Sequence, residues 1–436
     1  MTSSVIEAQY PITFREKEAR ELGDHLKHRR SVNIVGIKRI GISNFLRFFL
    51  YHKDSIKTYI GDNREHFFVP IDLNDLVELE IYPFWALTLK RIVDEVEKSE
   101  LSAVKKNKIG SLFLNSIQSQ DLFLIIDSVR QALLIIIGEG LLPTLFFIRF
   151  DRIASVFTPS FFDNLHGLRD ATNQELAYVF TSYRSLNNIL PAAKTTLSVF
   201  AQVLYMPPAQ DKDMRVIYEA YKGRYNFQAD PVLEEELFAL VNGNVQYLQL
   251  ALIILKEKKN DEIKNKQELF NALVADERVT LQSEELWESL AKEEKKLLIK
   301  IIKQEKVSLE EKEKNKYLWR TGFVREENNK DLLFSSLFEA YLKGREVEEN
   351  KNGDNTIHLT KKEHVLFTLL ESHIGNICER EEIIEKVWPE YGELGISDWA
   401  IDRLVARVRV KLKQQNSPYE IVTVRTRGYK LSAIKE

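Results

Sequence analysis

One stretch near the C-terminal end restricts what this 436-residue chain can fold into. At helical spacing, residues 399–413 place Ile401, Leu404, Val405, Val408 and Leu412 on one side. Trp399, Arg403, Ala406, Arg407 and Val410 fall opposite, with Arg409, Lys411 and Lys413 on the flanks. Such a helix is buried along one stripe and presents arginines and small apolar groups along the other.

The surrounding elements give that helix a setting. Ile357-His358-Leu359 reads as a short strand, and Thr360 caps a helix over 360–371, with Glu363 completing a capping box. A second helix over 380–388 stops at Pro389, and a loop over 390–395 leads into the long helix. Two alternating runs, 419–425 and 428–431, form a hairpin. Three helices and a hairpin make a winged helix-turn-helix, whose third helix suits the major groove. Residues 398–430 carry eight Lys/Arg against three Asp/Glu, inside a chain of net charge −3. A basic face of this kind supplies the salt-dependent phosphate attraction of DNA binding.

The segments LTKKEHVLFTLL, ICEREEIIEKVW, AIDRLVARVRVKLK and IVTVRTRGYKL resemble the DNA-binding domain of OmpR/PhoB-type response regulators. The resemblance implies double-stranded DNA as partner, with Arg403 and Arg407 approaching base edges. It extends the DNA-contacting set to Trp399, Arg409, Val410 and Lys411 on the helix, and to Thr423, Arg425 and Arg427 on the wing. The family commonly has two glycines before the wing tyrosine; here Arg427 takes the first one's place. The loop 390–395 sits where the family often touches RNA polymerase. A solvated basic face in a wing used for protein contacts is the competing reading.

Composition bounds the rest. Hydrophobic content of 44% and charged content of 29% describe a globular chain of two to four domains. The longest apolar run, near 133–137, is far short of a membrane span, and MTSSVIEAQYPITF lacks the pattern of a secretory signal. The single cysteine, Cys378, excludes an intrachain disulfide and fits a reducing cytoplasm. No Cys/His spacing suggests a metal site.

Upstream, a helix over 14–27 precedes a strand over 31–36, a glycine loop and a helix over 44–51. Strand, glycine loop, helix is the setting of a phosphate-binding loop. Gly36, Gly41 and Ser43 are correctly spaced, but Ile42 stands where the lysine belongs. Further strands over 67–72, 145–150 and 177–182, with a helix over 121–134, indicate a parallel α/β sheet. FREKE, GIKRIGISNFL, FFIRFDRI and FTSYRS resemble, in order, the motifs of STAND or AAA+ ATPases over 10–255. Such ATPases carry an aspartate and a glutamate at a strand end, where this chain has Ile148 and Arg149. Three charged parts of the phosphoryl-transfer apparatus are therefore absent together, which argues against hydrolysis and leaves no catalytic residue to name. Gly36, Lys38, Arg39, Gly41 and Ser43 remain as a nucleotide-binding set, and Arg149 is placed to contact a phosphate directly. Bound ATP or ADP and an emptied site are both open readings.

Pro207-Pro208 closes the core, and helices over 211–221, 231–240 and 243–255 resemble the ATPase lid, with Asn242 and Asn244 at its second sensor position. Residues 256–268 read as an exposed helix end. Residues 284–342 resemble a winged structural domain with a strand pair at 322–334, and 345–355 reads as a flexible linker. The expected division is an NTPase-like domain over 10–206, a lid and connecting helix over 207–280, a winged-helix-like domain over 281–345, a linker over 346–356 and the C-terminal winged helix over 357–436.

Three functions suit this layout. The first is a transcription regulator whose degenerate ATPase-like body senses a signal or oligomerises, although nothing at the N-terminus resembles a receiver domain's acidic pocket. The second is an AAA+ replication- or defence-type ATPase on DNA, and the third a non-enzymatic adaptor. A steep salt slope on duplex DNA separates the first from the third, and DNA-stimulated phosphate release separates the second.

Overall fold

The computed structural model describes residues 5–186, 201–225, 231–257, 263, 265–351, 359, 361–389, 398–415, 417–424 and 427–434. The chain divides into two compact units: Met1–Leu273 with Glu285–Glu339, and Val274–Glu284 with Ala340–Glu436.

The first unit is built on β1 (Ser31–Val35), β2 (Glu65–Asp72), β3 (Leu141–Ile148), β4 (Ala177–Ser182) and β5 (Ala201–Tyr205). Their order in the sheet is β2-β3-β4-β1-β5, and every pairing is parallel. β1 and β4 are buried throughout, and β3 is buried from Leu141 to Phe147, as expected of strands covered on both faces. Phe147 packs between Tyr178, Phe180 and Phe84, and Phe84, Phe150, Phe157 and Phe161 continue the aromatic core on the helical side. Together they anchor the helix Ile81–Lys98 against the sheet. This is the P-loop NTPase-like sheet expected from the alternating segments, with β5 and the helices Ile81–Lys98 and Ala103–Ser119 in addition.

Helices Asp211–Tyr225, Pro231–Val241 and Val245–Glu257 follow where three helices were expected. Asn244 caps the last of them, its Oδ1 accepting from the Tyr247 N–H at 2.9 Å. Beyond, helices Lys292–Ile302, Leu309–Lys314 and Tyr317–Arg320 precede the hairpin β6 (Val324–Glu327) and β7 (Lys330–Leu333), matching the expected strand pair.

The second unit holds the three-helix arrangement Lys361–Ser372, Arg380–Val387 and Asp398–Gln414, with β8 (Cys378–Glu379), β9 (Tyr419–Val424) and β10 (Gly428–Ala433) in an antiparallel sheet ordered β8-β10-β9. Ile401, Leu404, Val405, Val408 and Leu412 are buried, as their spacing requires, against Leu366, Leu370, Ile383, Trp388, Tyr429 and Leu431. Gly428 is obligatory: a Cβ there would lie 2.0 Å from the Cys378 carbonyl oxygen across the β10–β8 pair. Leu281 joins this core, so residues 274–284 belong with the winged unit.

One local expectation changes. Residues 346–351, read as linker, continue the helix Ser336–Lys351. Glu and Lys are good helix formers, and they extend a helix already anchored by Leu337, Phe338 and Leu342. Glu363 is buried against Lys411 and Arg407. The strand expected at 357–359, apart from Leu359, its cap Thr360, and the loop 390–395 lie outside the described residues.

Candidate nucleic-acid interface and anion cavity

The long helix Asp398–Gln414 sets the geometry of the first candidate site. Its buried stripe fixes the rotation, so the opposite stripe carries Arg403, Arg407 and Val410. Val410 is 56% exposed, an apolar group presented to solvent. The two arginines are not. Their side chains are 17% and 20% exposed, and both face Glu284 of the helix Glu277–Glu288. Arg407 Nη1 lies 3.2 Å from Glu284 Oε2 and its Nε 3.5 Å from Glu363 Oε1; Arg403 Nη2 lies 3.9 Å from Glu284 Oε1. Lys411 Nζ lies 2.6 Å from Glu363 Oε2. Residues 274–284 are held on the winged unit by Glu277, which pairs with Lys362 at 2.6 Å and accepts from Trp388 Nε1 at 3.3 Å.

Arg409 has a different task. It donates from Nε to the Ile421 carbonyl at 2.8 Å and from Nη2 to Thr423 Oγ1 at 2.8 Å, tying the helix to the wing. Arg427 is 60% exposed at the wing, 3.5 Å from Glu379. Tyr429 donates its hydroxyl to Asp402, which also pairs with Arg380 at 2.6 Å. The Trp399 side chain and Arg425 lie outside the described residues. Nearby, His373, Cys378 and Glu382 gather although their spacing gave no sign of it: His373 Nε2 is 3.3 Å and Cys378 Sγ 3.5 Å from the Glu382 carboxylate. Burial, followed by Glu382, pushes the Cys378 thiol up to about 12.

The second candidate site is a cavity of about 630 Å³ in the first unit, at the head of β1. β1 lies between β4 and β5, so the loop after it opens at the carboxyl end of a central strand, where ligands bind in open α/β sheets. The loop turns through left-handed backbone at Arg39 (φ 64°) and Gly41 (φ 108°) into the helix Ile42–Tyr51. Gly41's left-handed backbone favours glycine, and a Cβ there would lie 2.7 Å from Val245 Cγ2. The helix's first N–H groups lack intrahelical partners, the feature that lets helix N-termini attract anions.

Gly36, Lys38, Arg39, Gly41 and Ser43, expected here from spacing, all line this cavity. Arg149, expected from the sequence to reach a phosphate, lines it too, and the structure adds Arg47, Arg152 and Arg224, which the sequence did not group with it. Arg149 follows β3 with φ 61°, its backbone N–H donating to Thr181 Oγ1 at 2.8 Å. Its guanidinium pairs with Asp72 and lies 3.5 Å from Ser43 Oγ. Lys38 and Arg39 pair with Glu285 at 3.7 and 3.3 Å, and Arg47 with Glu7 at 2.6 Å. Burial pushes the Asp151 carboxyl up, while Lys38 and Arg149 oppose the shift.

The chain therefore joins a five-stranded parallel α/β body to a C-terminal winged helix-turn-helix. Residues 354–431 match the family described as "Transcriptional regulatory protein, C terminal". Two relatives make the same point. The transcriptional regulatory protein YxdJ of Bacillus subtilis is 32% identical over 80 residues, and the heme response regulator HssR of Staphylococcus epidermidis 37% identical over 79. Each match covers 18% of this chain and 34% of the relative, so the chain spans about a third of the length of the relatives it matches. Among solved structures, the Walker-type ATPase PABY2304 of Pyrococcus abyssi aligns at 14% identity and a TM-score of 0.44, over 76% of this chain and 95% of that one. The Aeropyrum pernix ORC1 protein in complex with DNA aligns at 13% and 0.40, over 97% and 89%. Among the described residues, no helix is long and apolar enough to cross a membrane.

Proposed function

We propose that this chain is a cytoplasmic, DNA-binding transcription regulator whose winged unit reads duplex DNA. Its body serves as a sensor or oligomerisation scaffold rather than a motor. The observation that carries the reading is the winged unit itself: a buried stripe that fixes the rotation of the long helix so that Arg403, Arg407 and Val410 share the opposite stripe, beside a wing carrying Arg427. Arginine hydrogen-bonds guanine edges, and a valine methyl suits the thymine methyl. In this reading Glu284 competes with DNA for Arg403 and Arg407, so the structure corresponds to a covered state that DNA must displace. RNA polymerase is a candidate second partner through the loop 390–395.

The body's reading rests on chemistry that is missing. With Ile42, Ile148 and Arg149 at the lysine and carboxylate positions, metal-assisted attack by water lacks its charged parts. The test is selection of a duplex from a random pool by the full chain, alongside phosphate release from ATP with and without that duplex. Enrichment of a defined sequence without phosphate release supports the proposal. DNA-stimulated release would make the protein an AAA+ machine, and absence of any enrichment would leave an adaptor.

A further inference from the structure

The β1-head cavity holds more cationic groups than a passive relic of a fold needs. Lys38, Arg39, Arg47, Arg149, Arg152 and Arg224 line it, against the carboxylates Asp151 and Glu285. Counting also the carboxylates that pair with these cations from just outside, Glu7 and Asp72, positive charge still prevails six to four. The cations converge from the loop, the helix after it, the end of β3 and the helix Asp211–Tyr225, so one elongated anion can meet several of them. A volume of about 630 Å³ suits a ligand of nucleotide size.

The place of Arg149 narrows the ligand's requirements. In phosphate-binding loops the serine hydroxyl and a strand-end aspartate hold Mg²⁺. Here Ser43 Oγ has the Arg149 guanidinium 3.5 Å away, and the neighbouring Asp72 carboxylate is bound by the same guanidinium. Mg²⁺ needs near-octahedral oxygen ligands and would meet a fixed positive charge at this spot. Glu285 is engaged by Lys38 and Arg39 and is poorly placed to offer a replacement. A guanidinium supplies what the metal would otherwise give a phosphate chain: positive charge and, through its planar fork, two parallel N–H donors.

We propose that this cavity binds an oligophosphate of the nucleoside di- or triphosphate class without a divalent cation, the Arg149 guanidinium standing where the metal would. The inference deepens the reading of the body as a non-hydrolysing sensor. The ligand's phosphates displace Asp72 from Arg149 and lie along the N–H groups that open the helix Ile42–Tyr51. No bond is broken.

The experiment is calorimetric titration of the full chain with ATP, ADP and inorganic tripolyphosphate, in excess EDTA and again in excess Mg²⁺. Binding in EDTA should match or exceed that in Mg²⁺. Arg149→Ala should weaken it about tenfold or more, the loss typical of a charge-assisted hydrogen-bonding pair. Arg149→Lys keeps a cation that can still pair with Asp72 but loses the fork, and should fall between the two. Thermal unfolding of both variants checks that the body is folded. Tripolyphosphate matching ATP would assign recognition to the phosphates, and tighter ATP would add the nucleoside; both outcomes support the proposal. Binding that requires Mg²⁺, folded Arg149 variants that bind like the parent, or no binding in either buffer would each overturn it. Duplex binding measured on the same preparation separates this result from the DNA reading, which stands or falls on its own.

Discussion

Replacing Glu284 by glutamine should raise the affinity of the full chain for its duplex. The carboxylate lies 3.2 Å from Arg407 and 3.9 Å from Arg403, among side chains no more than 20% exposed. At an effective dielectric near 20, one such pair at this distance is worth about 5 kcal/mol of gross attraction. Desolvation and side-chain ordering offset most of it, leaving about 1–2 kcal/mol net. DNA binding must break that interaction in the parent and not in Glu284→Gln, so affinity should rise about five- to thirty-fold. Fluorescence anisotropy of the enriched duplex at fixed ionic strength measures the change. Glu382→Gln is the control, because Glu382 pairs with His373 at 3.3 Å rather than with the reading arginines or the segment that covers them. It should shift affinity less than about threefold, since a single exposed or half-exposed pair is worth under about 1 kcal/mol. Unchanged or weaker binding by Glu284→Gln would refute the idea that Glu284 covers a DNA-reading face. An equal gain in both variants would refute charge competition as the cause.

Further measurements test the parts. Glu294 accepts a buried bidentate pair from Arg184, which also donates to the Ser289 carbonyl and stacks on Tyr317; Glu294→Ala should destabilise the first unit by about 3–5 kcal/mol in denaturant titration. Burial, helped by Arg29, pulls His66 down to about 4, so the unfolded chain takes up a proton between about pH 6.5 and 4 that the folded chain refuses. That stability is complete above pH 6.5 and lost as pH falls, by about 2 kcal/mol at pH 5, and His66→Phe should flatten this dependence in guanidinium unfolding curves. Cys378, buried and with its thiol pushed up to about 12, should react with a disulfide reagent at mildly alkaline pH only after denaturation, at one thiol per chain. Fast native reaction would place the thiol at the surface.

Much of this fold was legible because its signals are local. The strand over 177–182, the glycine loop and the buried stripe of the long helix follow from short apolar runs and helical periodicity, which burial on both sheet faces or on one helix face imposes. The gathering of Gly36, Lys38, Arg39, Gly41 and Ser43 in one cavity was legible for the same reason, since they lie in eight consecutive residues. What periodicity does not carry is long-range pairing. Arg149 and Asp72 meet across 77 positions because β2 and β3 are neighbours in the sheet, and no spacing rule announces that. Glu284 reaches Arg407 from a segment assigned by sequence to a different domain, so the arginine stripe read as open is covered. Arg409 looked like one more basic flank and also ties helix to wing, because the Ile421 carbonyl lies within its reach. The run 346–351, polar but for Val347, borrowed helical structure from Leu337, Phe338 and Leu342 before it.

The most direct test is the salt dependence of full-chain binding to the enriched duplex, for the parent and for the Arg403→Ala/Arg407→Ala double variant. The parent should lose affinity steeply as salt rises, with a log–log slope of several units from the released counterions. The double variant should bind more weakly at every salt concentration and no longer prefer the enriched sequence over a scrambled one. A parent that ignores salt, or a double variant that keeps both its affinity and its preference, would contradict the claim that this helix reads DNA.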